Sequence, residues 1–214
     1  ADSPDEHRPA GPVNQRTAPR SLRRLAVAAL LAITASWVFP AAARAANKTW
    51  RGTSSADWNV TGNWSGGTLP ANDDVLLWTA TSSNLSSNNN ISGLRVSGLT
   101  FTSAPGPVTL GGNTLTMSPL GTSMSITTGA THKITIDLPL QLSNAAVGSA
   151  RGLTLNTTNG AALAINGVIS ESGTAFGIVM SGGAAGGEAS LGGLNTFTGS
   201  VLVNTGTLAI SSLG

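Results

Sequence analysis

The sequence predicts an all-β fold of the parallel β-helix, or β-solenoid, type, and three observations point there. From Ile91 on, short apolar alternations of period two recur at intervals of mostly seven to twelve residues: Leu99/Phe101, Val108/Leu110, Leu115/Met117, Met124/Ile126, Ile134/Ile136/Leu138/Leu140/Leu142, Leu153/Leu155, Leu163/Ile165, Ile178/Met180, Val201/Val203 and Leu208/Ile210. Regular short strands suit an antiparallel sandwich or a coil of about three strands per turn. The second observation favours the coil. These positions hold mainly Leu, Ile, Val and Met, and after Trp78 the only aromatics are Phe101, Phe176 and Phe197, a filling that suits a narrow stacked core better than a sandwich. Third, Leu191 to Ile210 is a strand-turn-strand unit around Asn204-Thr205-Gly206 that cannot bury itself and needs stacked neighbours.

Composition agrees with an extended, polar-coated β chain. The 214 residues include 27 glycines and no cysteine, with 9% charged and 40% hydrophobic residues. That is too apolar for a disordered chain, and the fold uses no disulfide. The formal charge of +2 conceals an uneven distribution. Arg8, Arg16, Arg20, Arg23, Arg24 and Arg44 precede position 46, and the five basic residues that remain face six acids, so the body is near −1. With no basic patch to neutralise phosphates, nucleic acid is not an expected partner.

In chain order, residues 1–19 are polar, proline-containing and aperiodic, and are expected to be disordered. Residues 20–45 read as a signal peptide. Arg20 to Arg24 form a positive start, Leu25 to Pro40 an apolar core, and Ala43-Arg44-Ala45 a small-x-small site that places cleavage between Ala45 and Ala46. The core is short for a bilayer-spanning helix, so membrane contact is expected only during export.

Residues 46–90 form the next expected unit, a tryptophan-rich N-terminal β module that caps the coil. Trp50, Trp58, Trp64 and Trp78 alternate with turn sequences such as Thr61-Gly62-Asn63 and Pro70-Ala71-Asn72-Asp73-Asp74. Burial is expected for Trp50, Trp64 and Trp78, whereas Trp58 follows Ser54-Ser55-Ala56-Asp57 and is expected in an exposed loop. The Ser/Asn-rich stretch 81–90 reads as a linker, after which 91–214 is the solenoid.

The unit at about 178–210 resembles the autotransporter-associated β-strand repeat, also called the passenger-associated transport repeat. The resemblance rests on Leu191, Gly193, Asn195, Thr196, Phe197, Thr198 and Gly199, then Asn204, Gly206, Thr207 and Leu208. Phe197 stands where the family usually has Tyr. The opening of the body is similar to that of large secreted proteins carrying this repeat, through Trp50, Asn63-Trp64, Pro70 and Asp73-Asp74. The resemblance implies a right-handed β-helix exported to a bacterial surface or beyond, with downstream repeats of the same chain as its neighbours. It does not extend to a membrane barrel or a sorting anchor.

Chemistry-bearing residues are few. His132-Lys133 reads as a solvated turn, and no Gly-x-Ser-x-Gly elbow accompanies it. Asp137, Glu171 and Glu188 do not recur at a common offset with Arg95, Lys133 or Arg151, as a polysaccharide lyase built on a β-helix would need. No catalytic residue, metal or cofactor is therefore expected. The leading reading is a non-enzymatic stalk or passenger segment. The alternatives are a surface module that stacks glycans, or meets other cell-surface components, on exposed Trp50, Trp58, Trp64 and Trp78, and, less favoured, a polysaccharide-active enzyme.

Overall fold

The computed structural model describes residues 45–119, 124–129, 131–143, 152–158, 160–183 and 186–212. The expected extension 1–19 and positions 20–44 of the expected signal peptide lie outside the described residues. Among the described residues the regular structure is strand, apart from two short 3-10 turns at Thr61–Asn63 and Ser65–Gly67. The strands wind into a parallel β-solenoid of about six turns.

Three strand faces recur along the coil. The first stacks β1 (Asn47–Trp50), β2 (Asp74–Trp78), the second half of β4 (Arg95–Phe101), β7 (Met124–Thr128), β10 (Gly152–Thr157), β13 (Gly177–Ser181) and β15 (Val201–Thr205). The second stacks β3 (Ser86–Asn89), β5 (Val108–Gly112), β8 (Ile134–Ile136), β11 (Ala162–Ile165), β14 (Glu188–Leu191) and β16 (Thr207–Ile210). The third stacks the first residues of β4 with β6 (Leu115–Met117), β9 (Leu140–Ser143) and β12 (Ile169–Ser172). Pairings between these strands are parallel, so a residue's neighbour above or below comes from one turn earlier or later.

This register turns period-two alternation into inward columns. Leu76, Leu99, Ile126, Leu155 and Met180 align on the first face. Leu110, Ile136, Ile165 and Leu191 align on the second, and Leu115, Leu140 and Ile169 on the third. All are fully buried, and burying a side chain of this size is worth about 1.5–3 kcal/mol. The intervening residues point outward and are small: Thr109, Thr135, Ala164, Ser190 and Ala209 form one outer ladder.

Corners are made by close backbone approach. After the second face, the N–H groups of Asp137 and Leu138 both donate to Leu110 O (2.8 and 3.1 Å), and one turn on those of Asn166 and Gly167 both donate to Ile136 O at the same distances. A Cβ on Gly167 would lie 2.0 Å from Leu138 O, so no larger residue fits that approach.

Two sequence expectations need correction here. The stretch 81–90 is not a linker: its residues 86–89 are β3, in register with β5, and Ser87 and Asn89 point inward. Their polar groups are tolerated because Ser87 Oγ accepts the Trp58 indole N–H at 3.1 Å, while Asn89 Nδ2 donates to Asn113 O at 3.0 Å. The long alternation from Ile134 to Leu142 is two strands on different faces, with buried Leu138 carrying the apolar pattern around the corner between them.

Candidate functional site

The tryptophans gather at the first turn. β1 pairs with β2 so that Trp50 lies beside Trp78, and a single antiparallel bridge brings Trp64 against Trp50. The rings meet mostly edge to face. Centroids are 5.1 Å apart for Trp50 and Trp64 at 74°, 5.8 Å for Trp58 and Trp64 at 84°, and 5.8 Å for Trp58 and Trp78 at 48°. Such pairs add about 0.5–1.5 kcal/mol each beyond area burial. The indole N–H of Trp50 donates to Ser83 O (2.9 Å) and that of Trp64 to Trp58 O (2.8 Å), so the polar edges of these two rings as well as their faces are committed inside the fold.

Trp58 is the correction in this group. It is fully buried, not a loop exception, because the Trp58 N–H donates to Asn88 O at 3.0 Å while Asn88 N–H donates to Ala56 O at 2.8 Å, drawing the segment onto β3. Asn63, which the sequence placed only in a turn beside Trp64, holds the other side. Its Oδ1 accepts from the N–H groups of Ser54 and Ser55, and its Nδ2 donates to Ser55 Oγ and Asp57 O, all within 2.8–3.1 Å. The signal was a Trp neighbour with a fully capable amide, visible as Asn63-Trp64 but not assignable without partners. With all four rings between 0% and 2% exposed, none offers a face on which a sugar could stack, and the glycan-platform role given to Trp50, Trp58, Trp64 and Trp78 is withdrawn.

The residues of the repeat pattern spread over three corners instead of converging. Leu191 is buried between Ile165 and Ile210. Gly193 sits one turn above Gly167, and a Cβ there would lie 2.5 Å from Gly167 O. Asn195 is 1% exposed and spans turns, with Oδ1 accepting Ile169 N–H (3.0 Å) and Nδ2 donating to Ser212 O (3.3 Å). Thr196 N–H donates to Ile169 O, Phe197 is buried, and Thr198 Oγ1 donates to Glu171 Oε1 at 2.5 Å. At Gly199 a Cβ would lie 2.2 Å from the Phe176 carbonyl carbon. Asn204 is the extra residue of a bulge between β13 and β15, Gly206 takes a φ of 85° at the next corner, and Thr207 and Leu208 begin β16.

Several charged groups are individually engaged. Arg95 Nε and Nη2 grip Asp73 Oδ1 and Oδ2 at 2.7 and 2.9 Å. Asp137 Oδ1 accepts from Asn166 Nδ2 at 2.8 Å. Glu171 accepts the Thr198 hydroxyl and, through Oε2, the Phe176 N–H at 2.7 Å. Its carboxyl is held below the ordinary range chiefly by the Thr198 hydroxyl, against the opposing effect of burial and with help from Phe176 N–H. His132 lies half-buried in a bend before β8, and among the described residues no three of His, Cys, Asp or Glu come together as a metal site.

On the outer second face a shallow concavity of about 360 Å³ is floored by Ala162, Ala164, Ser190 and Ala209, with Lys133 and Glu188 at its rim. It follows from the small outer ladder and holds no paired acid and base. Comparison of the chain with protein-family models, with curated proteins and with solved structures finds no match.

Proposed function

We propose that the chain is a non-enzymatic, exported β-helical passenger or stalk segment of a larger bacterial surface protein. On this reading the coil is right-handed, residues 20–45 direct export, the tryptophan cluster caps the first turn, and 178–210 is an autotransporter-associated repeat. The observation that carries it is the stack itself: parallel turns on continuous aliphatic columns, with an outward ladder of Thr, Ser and Ala and with Asp73, Asp137 and Glu171 each held by its own partner. Such a stack, with no acid and base brought together on its outer ladder, suits a spacer. The four enclosed tryptophans support the cap.

The test expresses the chain with its leader in a Gram-negative host and follows location, N-terminus and glycan turnover. Recovery outside the cytoplasm beginning at Ala46, with no products released from a polysaccharide panel, is the expected result. Cytoplasmic retention with the leader intact overturns export. Release of reducing ends or unsaturated sugars overturns the non-enzymatic assignment.

A further inference from the structure

Asp73 and Asp74 are adjacent acids with different surroundings. Asp73 has a guanidinium partner in Arg95. Asp74 is only 3% exposed, and the contacts made to its carboxylate are from backbone amides: Ala46 N–H to Oδ1 at 2.8 Å and Ala71 N–H to Oδ2 at 2.9 Å. Among the described residues no cationic side chain pairs with it. The nearest basic side chains on adjoining elements are committed elsewhere, Arg95 to Asp73 and Lys48 Nζ to Thr68 Oγ1 at 2.5 Å. A buried carboxylate held by dipoles alone lacks the full counter-charge its burial calls for.

The nitrogen at 2.8 Å belongs to the residue at which the leader is expected to be cut. We propose that Asp74 is a docking site for the processed N-terminus: cleavage between Ala45 and Ala46 converts an amide donor into a part-buried ion pair between the Ala46 ammonium and the Asp74 carboxylate. The inference rests on the leader reading of residues 20–45. Water adds across the Ala45–Ala46 peptide bond under a leader peptidase, leaving a carboxylate on Ala45 and an amine on Ala46. That amine, with an ordinary pKa of about 7.7–8.0, takes up a proton at neutral pH. No rearrangement is required, because Ala46 O already accepts Val75 N–H at 2.9 Å and β1 begins at the next residue, so the backbone that follows the nitrogen is already held. The ammonium adds a full positive charge to a hydrogen bond whose acceptor is already charged, supplying the counter-charge that the amides lack. Processing would thereby strengthen the hold of β1, and with it Trp50, on the first turn once the leader has been removed.

The experiment compares the full chain, the exported product, and a protein beginning at Ala46 with its α-amine either free or acetylated, each with Asp74 and with Asp74→Asn. The described unit carries its own core from Trp50 onward, so the shortened protein retains the fold. The free amine should melt higher than the acetylated form by roughly 2 to 4 °C, and the difference should vanish in Asp74→Asn. Should Asp74→Asn not fold, NMR titration of the Ala46 amine in the unsubstituted protein decides. A value raised above the ordinary range supports the pair, and an ordinary value overturns it. Equal melting of free and acetylated forms, or a difference that survives Asp74→Asn, also overturns it. N-terminal sequencing of the exported product separates the two failures: a terminus other than Ala46 refutes the leader reading and the proposal together, whereas Ala46 with no effect of acetylation refutes the proposal alone.

Discussion

Trp78 lies almost face to face on Phe101, with ring centroids 4.9 Å apart and planes 25° from parallel, at paired positions of β2 and β4. The stack joins the tryptophan cluster to the aliphatic core, because Trp78 is also in contact with Trp58 and Trp64. Phe101→Ala should destabilise the fold by about 3–5 kcal/mol, and Trp64→Ala should do the same. Urea unfolding followed by tryptophan fluorescence checks both, and a loss below about 1 kcal/mol would mean the rings are not core.

The same column continues from Phe101 to Thr128 and Thr157, whose buried hydroxyls have no hydrogen-bond partner among the described residues. Replacing such a hydroxyl with a methyl group keeps the volume and removes an unsatisfied polar atom. Thr128→Val should therefore raise stability by about 1 kcal/mol in chemical denaturation.

Corner glycines should divide by what surrounds them. Gly199→Ala and Gly193→Ala place a methyl group 2.2 and 2.5 Å from main-chain atoms of the preceding turn, whereas a Cβ on Gly111 meets nothing within 4 Å. The first two should lower the melting temperature by roughly 5 °C or more, and Gly111→Ala should leave it within about 2 °C. Calorimetry on the three variants distinguishes backbone approach from a general intolerance of β-turn substitution.

Glu171 predicts an acid-sensitive corner. Its folded-state pKa lies below the ordinary 4.5, so the folded state favours the ionised form. The resulting stability is fully present above the unfolded value and is lost as pH falls through the folded one. Melting temperatures between pH 7 and pH 3 should fall more steeply for the unmodified chain than for Glu171→Gln, which no longer titrates there. Parallel curves would remove Glu171 from the acid response.

The last turn should be adhesive. With Leu202 and Val203 half-exposed on the terminal strand of the first face, the chain should self-associate at micromolar concentration, and Leu202→Lys with Val203→Lys should raise the monomer fraction in sedimentation. Unchanged monomer fractions would show that this edge is not the sticky surface.

Most of the architecture was legible because inward and outward positions alternate at period two and the inward ones are aliphatic. Leu99/Phe101, Leu110, Ile126, Leu155 and Ile165 could be placed in buried strands from their spacing alone. Where an inward position is polar the pattern disappears, and β3 was lost for that reason: Ser87 and Asn89 are acceptable inside only because Trp58 and Asn113, distant in the chain, satisfy them. Trp58 was misplaced for the complementary reason. Its neighbours Ser54 to Asp57 are loop-forming, but the bonds that bury it come from Asn88 and Asn63.

What the sequence by itself determined is the strand content, the aliphatic inward positions and the concentration of tryptophan at the start of the body. These depend on the character of each residue and its immediate neighbours. Only the tertiary structure decided the three-faced stacking, the face to which each strand belongs, the enclosure of all four tryptophans and the separate partners of Asp73 and Asp74. Those features arise from parallel pairing across a turn of the coil, which sets side by side residues about 20 to 30 positions apart, a range at which no local periodicity carries information.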